Sequence, residues 1–174
     1  GVSYTFDSRD FMLNASRGWF MQLDLTTNPT FLGNNNTYWS AELQLATYRK
    51  AWRGAIIAGE LHTRQSTGQV PWPMLADVGS SNRMRGYYEG RYRDKNVIDA
   101  QVELRQHIWH RNGIVLWLGA AEVFPRYSDM RFSRILPNAG VGYRWQFKKG
   151  VNVRLDYGFS RNGTGFIFNI NEAF

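Results

Sequence analysis

The residues of this sequence that could carry chemistry are mostly carboxylates and arginines. Several of them recur at every second position, where paired acids and bases could resemble an active site. We interpret the set instead as a network of salt bridges, because each member belongs to a segment of alternating polar and apolar residues. The candidate members of this network are Glu60, Glu103, Arg105, Arg144, Arg154 and Asp156, with Arg64 beside them.

The remaining reactive residue types do not form a catalytic or metal-binding pattern. His107 and His110 are three residues apart, a spacing that suits a metal ion on a helix but separates the two rings on a strand. The sequence has no cysteine, which excludes a disulfide framework and thiolate ligands. It also lacks a Gly-x-Ser-x-Gly motif. We therefore expect no enzymatic activity, no metal and no cofactor.

The clearest alternation lies at residues 98–108, which we predict to form a β-strand. Successive side chains of a strand point to opposite faces, so this segment has one apolar and one polar face. The apolar face consists of Ile98, Ala100, Val102, Leu104 and Ile108, and the polar face of Asp99, Gln101, Glu103, Arg105 and His107.

The same pattern recurs in most of the chain and predicts an all-β, antiparallel fold. Further alternating segments lie at 19–26, 39–45, 57–64, 141–147, 151–159 and 166–170. Residues 114–124 differ, because they are apolar or small on both faces. Their inward side is predicted to consist of Val115, Trp117, Gly119 and Ala121.

A transmembrane β-barrel fits this pattern better than a soluble β-sandwich. The polar faces carry Glu, Arg, Asp and Gln on strand after strand, which suits mutual pairing inside a narrow lumen. Aromatic residues make up 16% of the sequence, and they cluster near strand ends, as they do at membrane interfaces. No apolar run is long enough for a transmembrane helix.

The net charge of +7 is spread among acidic residues along the strands. This distribution argues against a nucleic-acid partner and fits a basic rim that faces phosphate-bearing lipid.

The predicted connections alternate in length. Short turns are predicted at 49–54, 109–113 and 148–150, and longer loops at 28–37, 65–97 and 125–136. Transmembrane barrels have short periplasmic turns and long extracellular loops. A loop as long as 65–97 is uncommon unless it is functional.

We treat residues 1–174 as one barrel domain with eight strands over 18–174. Residues 2–7 are a candidate ninth strand. An odd number of strands does not close an antiparallel barrel. Either residues 2–7 lie outside a closed eight-strand barrel, or the chain is the C-terminal part of a larger one. Since the first residue is Gly rather than Met, we expect a mature form or a chain from which the N-terminal part has been removed.

The long loop contains Met84-Arg85-Gly86-Tyr87, followed by a basic, tyrosine-containing stretch. This motif resembles the signature of the BamA/TamA outer-membrane assembly superfamily, the bacterial surface antigens. Further segments resemble the family's later strands in the same order. They are 97–108, 136–144, 153–158 and 165–174.

The resemblance implies roles for two groups of residues. Arg85, Gly86 and Tyr87 would lie on a loop that folds into the lumen, where the arginine pairs with an acidic residue of the wall. The position that often carries this acid in the family is Gly119 here, so Glu103 and Asp156 are the best remaining candidates. The C-terminal assembly signal would consist of Gly165, Phe168, Ile170 and Phe174.

The resemblance also implies a function, namely insertion or transport of proteins at the bacterial outer membrane of a Gram-negative cell. The expected partners are outer-membrane lipid, lipopolysaccharide and client outer-membrane proteins. Two alternatives remain open from the residues alone. One is a small structural or binding barrel without transport, because eight strands enclose a lumen that their own side chains fill. The other is the membrane anchor of a larger protein.

Overall fold

A computed structural model describes residues 1–33, 35–148 and 150–174. Asn34 and Lys149 lie outside the described residues, and each falls within a predicted connection, 28–37 and 148–150 respectively. Within the described part, no helix is long and apolar enough to cross a membrane.

The described chain consists of β-strands joined by turns and by four single turns of 3₁₀ helix. The strands are β1 (Val2–Asp7), β2 (Gly18–Asn28), β3 (Tyr38–Lys50), β4 (Ala55–Gly68), β5 (Ala76–Val78), β6 (Tyr92–Asp94), β7 (Asn96–Trp109), β8 (Asn112–Phe124), β9 (Leu136–Lys148), β10 (Val151–Ser160) and β11 (Gly163–Ile170). The 3₁₀ turns are Thr30–Leu32, Trp72–Met74, Tyr127–Asp129 and Phe132–Arg134. The fold class predicted from the alternation is confirmed.

Nine strands form one antiparallel sheet in the order β1-β2-β3-β4-β7-β8-β9-β10-β11. One edge carries the connection 8–17 and the three tight turns after β3, β7 and β9, and we call it the short-turn end. The opposite edge carries the connections 29–37, 69–95 and 125–135 together with the tight turn 161–162, and we call it the long-loop end. Strands β5 and β6 form a separate two-stranded sheet within connection 69–95.

The alternation of residue types corresponds to two different environments. On β7, the side chains of Asp99, Gln101 and Glu103 are buried on the concave side, whereas Ala100 and Val102 are exposed on the convex side. Trp117 on β8 also points inward and is buried, as the alternation along 114–124 predicts. The convex side is therefore an apolar surface, and the concave side is a packed, charged lumen.

The structure decides between the two placements of the first strand. Strand β1 pairs with β2 from Val2↔Leu25 to Asp7↔Phe20 and is part of the sheet. The alternative in which residues 2–7 lie outside a closed eight-strand barrel is therefore wrong. Among the described residues β1 and β11 do not pair, so the sheet is not closed.

The closing strand is shorter than the predicted segment 165–174. Strand β11 ends at Ile170, and Asn171 has a φ of 71°, a left-handed conformation that turns the chain. The prediction that the strand continues to Phe174 is wrong because residues 171–174 bend into the lumen, where Glu172 meets two arginines.

We expect a charge in the middle of the convex face to destabilise the protein. Leu118 lies at the centre of β8 and is 69% exposed. If this face meets hydrocarbon, Leu118→Arg lowers the free energy of unfolding by about 2–4 kcal/mol, and Trp109→Arg, at the end of β7, by about 0–1 kcal/mol. Urea unfolding of the protein in phospholipid vesicles measures both. Equal, negligible costs would mean that water covers this face.

Candidate functional site

The connection between β4 and β7, residues 69–95, folds back into the lumen. Strands β5 and β6 pair at its base and bring its two halves together. At its tip, Met84 and Gly86 have φ angles of 50° and 101°, so the backbone turns sharply around Arg85. Glycine adopts such angles without steric cost, whereas Met84 is held there by the buried apolar cluster around it.

The Arg85 side chain is completely buried and lies between two carboxylates of the wall. One terminal nitrogen donates to Asp156 Oδ2 at 2.7 Å, and the other donates to Glu103 Oε1. All three side chains are 0% exposed. The guanidinium carbon also lies 3.7 Å from the centre of the Trp117 ring, a cation–π contact. Two negative charges and an aromatic face thus replace the water that the guanidinium loses.

Three further arginines and one more carboxylate extend this contact into a cluster. Arg105 Nε donates to Glu103 at 2.9 Å, and Arg144 Nε donates to Glu172 at 2.8 Å. Arg154 Nε lies 3.5 Å from Asp156. We call this set the lumenal charge cluster. It consists of Arg85, Glu103, Arg105, Arg144, Arg154, Asp156 and Glu172.

A row of three glycines next to Trp117 makes room for the loop. Trp117, Gly140, Gly158 and Gly165 lie side by side across β8, β9, β10 and β11. The Trp117 ring lies over Gly140, and a methyl group added at Gly86 would be 2.8 Å from the backbone of Gly158. Glycine within a strand often marks a place where another backbone approaches closely. Here the approaching backbone is that of Arg85 and Gly86.

Hydrogen bonds attach both sides of the loop tip to the wall. Arg154 donates to the Ser81 carbonyl at 2.7 Å, and Gln101 donates to the Asn82 carbonyl at 3.1 Å. On the other side, the Tyr87 hydroxyl donates to the Pro137 carbonyl at 2.7 Å. The loop is therefore held by β7, β9 and β10, and the motif residues Arg85, Gly86 and Tyr87 each contact the wall.

The residues after β11 complete the cluster at the short-turn end. Glu172 lies between Arg144 and Arg105, and it also accepts a hydrogen bond from Asn152 at 2.6 Å. Burial by itself raises the pKa of Glu172, but the charges of Arg105 and Arg144 outweigh it. The pKa of this carboxyl group therefore lies below its ordinary value.

The short-turn end of the lumen is covered from inside by two segments. The connection 8–17 contributes Ala15, which is buried against Tyr48 and Ala46, while the Phe174 ring packs on Tyr48. Arg105 donates to the Phe174 carbonyl at 2.9 Å. The lumen therefore contains the long loop above the cluster and these two segments below it.

Sequence reasoning located most of the cluster but not all of it. Of the candidates, Glu60 stands apart, because it accepts from Gln44 and Gln101 at 2.6 and 2.7 Å rather than from an arginine. Glu172 was missed, since its inward position depends on the turn at Asn171. Asn138 was also missed, although it accepts from Trp117 and donates to the Arg85 carbonyl.

The residues of the predicted assembly signal lie on both sides of the last strand. Phe168 and Ile170 are exposed on the convex face, and Gly165 lies on the concave face against Gly86. Phe174 lies past the end of the strand, on the inward turn.

This arrangement is suited to holding a loop rather than to covalent chemistry. Elsewhere on the lumen wall, the His62 ring makes hydrogen-bond contacts with Asp99 at 2.7 Å and Glu42 at 3.0 Å. Within the described residues, no group of three or more His, Asp or Glu side chains is arranged to hold a metal ion.

Comparison with known proteins identifies a family and, among the solved structures, similar folds. The model of the Omp85 superfamily domain matches residues 1–174. The crystal structure of BamA from Haemophilus ducreyi lacking POTRA domains 1-3 superposes with a TM-score of 0.73 at 14% sequence identity. The match covers 97% of this chain and 40% of the BamA chain. A search of curated proteins finds no significant match.

The fold and the docked loop thus define a protein of the outer-membrane β-barrel class. The chain belongs to the Omp85 superfamily. The family that the Arg85 motif and the ordered strand matches predicted is confirmed. At 14% identity, the likeness to BamA adds evidence for the barrel fold alone.

We expect removal of the Arg85 side chain to release the loop. Arg85→Ala leaves Glu103 and Asp156 buried without this partner, and breaking a buried ion pair in this way costs about 3–5 kcal/mol. Limited proteolysis in detergent should then cut connection 69–95 many times faster. Arg91→Ala is the matched control, since Arg91 is an exposed arginine of the same connection. Equal cleavage rates in the two variants would contradict the docking.

Proposed function

We propose that this chain forms the barrel region of a bacterial outer-membrane protein that inserts or translocates other proteins. Membership of the Omp85 superfamily over all 174 residues supports this role, because the resemblance implies it. The short-turn end would face the periplasm, and the long-loop end would face outward. Outer-membrane lipid and client outer-membrane proteins would be its partners.

The strongest support for this proposal is the direction of the two edge strands of the sheet, β1 and β11. Strands β1 and β11 both run from the long-loop end to the short-turn end. A direct pair between them would be parallel, so an antiparallel barrel that contains this sheet needs an odd number of further strands. We propose that the remainder of a larger barrel supplies them, as in the second of the two architectures expected from the sequence.

Strand β11 offers the edge at which a client could bind. On its convex face, Phe166, Phe168 and Ile170 form an exposed apolar row, and its pairing within the described residues is with β10 alone. An unpaired edge accepts another strand through backbone hydrogen bonds. Exchange of the strands at this edge would let a client strand join the sheet before it enters the membrane.

The packed lumen supports the alternative of a barrel without transport. Arg85, Glu103 and Asp156 are completely buried, and the long loop lies within the lumen. In that case the protein would be a structural or binding barrel, or a membrane anchor. The two functions differ in what happens to an added client.

We expect vesicles that contain the full-length protein to fold a denatured eight-strand outer-membrane barrel several-fold faster than protein-free vesicles. Folding is measured by the change in gel mobility of the unheated client. A photo-cross-linking phenylalanine analogue at Phe168 should capture the client, because Phe168 lies on β11. The same analogue at Tyr143 is the matched control, since Tyr143 is also exposed but lies on β9 between its partners Ile114 on β8 and Leu155 on β10.

Faster folding with preferential capture at Phe168 would support the proposal. No acceleration over protein-free vesicles would contradict it and would favour the non-transporting barrel. Acceleration with equal capture at both positions would contradict the role of the β11 edge.

A further inference from the structure

The connection between β8 and β9 lies over the outside of the barrel rather than over its lumen. Its residues 125–135 form two single 3₁₀ turns, and the Arg131 amide donates to Glu122 Oε1 at 2.8 Å. Glu122 belongs to the convex face, since it pairs with Ile98 on β7. Phe124, on the same face, is completely buried and packs against Tyr127 with ring centres 5.3 Å apart.

The connection and the strands beneath it enclose a groove of about 200 Å³. Its floor consists of Leu61, Ile98, Ala100 and Ala120, and its cover of Met130, Phe132 and Ile135. Ala120 is four residues from the end of β8, about 13 Å along a strand. The groove therefore extends down the apolar surface that we place in the membrane, and it has the size and polarity for a segment of an acyl chain.

The connection that covers the groove is mostly positively charged, and its Arg131 lines the groove together with the buried Glu122. The connection contains Arg126, Arg131 and Arg134 and a single acidic residue, Asp129. All three arginines are exposed, and none forms an ion pair within the described residues. The Phe132 side chain between them is 93% exposed. Exposed aromatic residues next to arginines are typical of segments that lie at a membrane surface.

We infer that residues 125–135 bind a phosphorylated lipid of the leaflet at the long-loop end, with an acyl chain in the groove and its phosphates on the exposed arginines of this connection, of which Arg131 lines the groove itself. Guanidinium groups bind phosphate through paired hydrogen bonds, so three free arginines fit a headgroup with more than one phosphate. The choice of leaflet rests on the proposed orientation in the outer membrane, which makes the occupant the lipid A part of lipopolysaccharide.

Binding of lipid A to the full-length protein in detergent tests this inference. The variant R126Q/R131Q/R134Q removes the three positive charges of the connection over the groove, and R49Q/R53Q/R111Q removes three exposed charges at the short-turn end. Each arginine near an anionic lipid surface strengthens binding about fivefold. We therefore expect the first variant to raise the apparent Kd for lipid A about 100-fold by native mass spectrometry, and the second at most about fivefold.

A second variant tests the groove separately from the charges. Ala120→Phe fills the floor of the groove on an exposed position of the convex face, where a larger apolar side chain is compatible with folding. We expect it to weaken binding of lipid A at least tenfold while all arginines remain. The gel mobility of unheated samples checks that every variant is folded.

Three results would overturn the inference. They are equal losses in the two arginine variants, full binding by Ala120→Phe, and a preference for phosphatidylglycerol over lipid A. The client-folding assay is independent of these measurements. Loss of lipid binding with normal client folding would refute this site alone, whereas failed client folding with normal lipid binding would refute the proposed function alone.

Discussion

The burial of one guanidinium group constrains the rest of the lumen. Arg85 reaches the interior at the tip of a loop that begins and ends at the rim, and it has no water contact there. Removing such a charge from water costs several kcal/mol unless carboxylates and hydrogen bonds replace the water. Glu103 and Asp156 provide this compensation from β7 and β10, so these strands and the loop must keep one relative position.

The strands around the cluster can hold the loop in this position because several of their inward-facing residues are glycines. The glycines of β9, β10 and β11 lie in one row, which lets the loop backbone and the Trp117 ring approach the wall. A larger side chain at Gly158 would exclude the Arg85 backbone, and one at Gly140 would displace the Trp117 ring that contacts the Arg85 guanidinium. Charge pairing and close packing therefore depend on each other, and together they fill the lumen.

Much of this arrangement could be predicted from the sequence, because the two faces of each strand meet different surroundings. The alternation at 98–108 predicts that Glu103 points inward, and the alternation at 151–159 predicts that Asp156 points inward. The family resemblance makes both of these inward-facing carboxylates candidate partners of Arg85. The family resemblance contributed the inward fold of the loop, which the alternation alone does not imply.

Other features depend on geometry that alternation does not encode. The inward position of Glu172 follows from one left-handed residue, Asn171, and a period-two pattern extends a strand past such a turn. The row of glycines depends on the register between neighbouring strands. The position of residues 125–135 on the convex face depends on their contacts with Phe124 and Glu122. The alternation places both residues on the membrane-facing side, so it does not predict that they are buried.

The energetic coupling between Arg85 and Asp156 tests the central claim most directly. A double-mutant cycle with Arg85→Met and Asp156→Asn, followed by urea unfolding in vesicles, isolates that interaction from the effects of each substitution alone. The account predicts a coupling free energy of about 1–3 kcal/mol, since groups in direct contact couple by that order. Additive effects of the two substitutions, within about 0.5 kcal/mol, would contradict a guanidinium docked against this carboxylate.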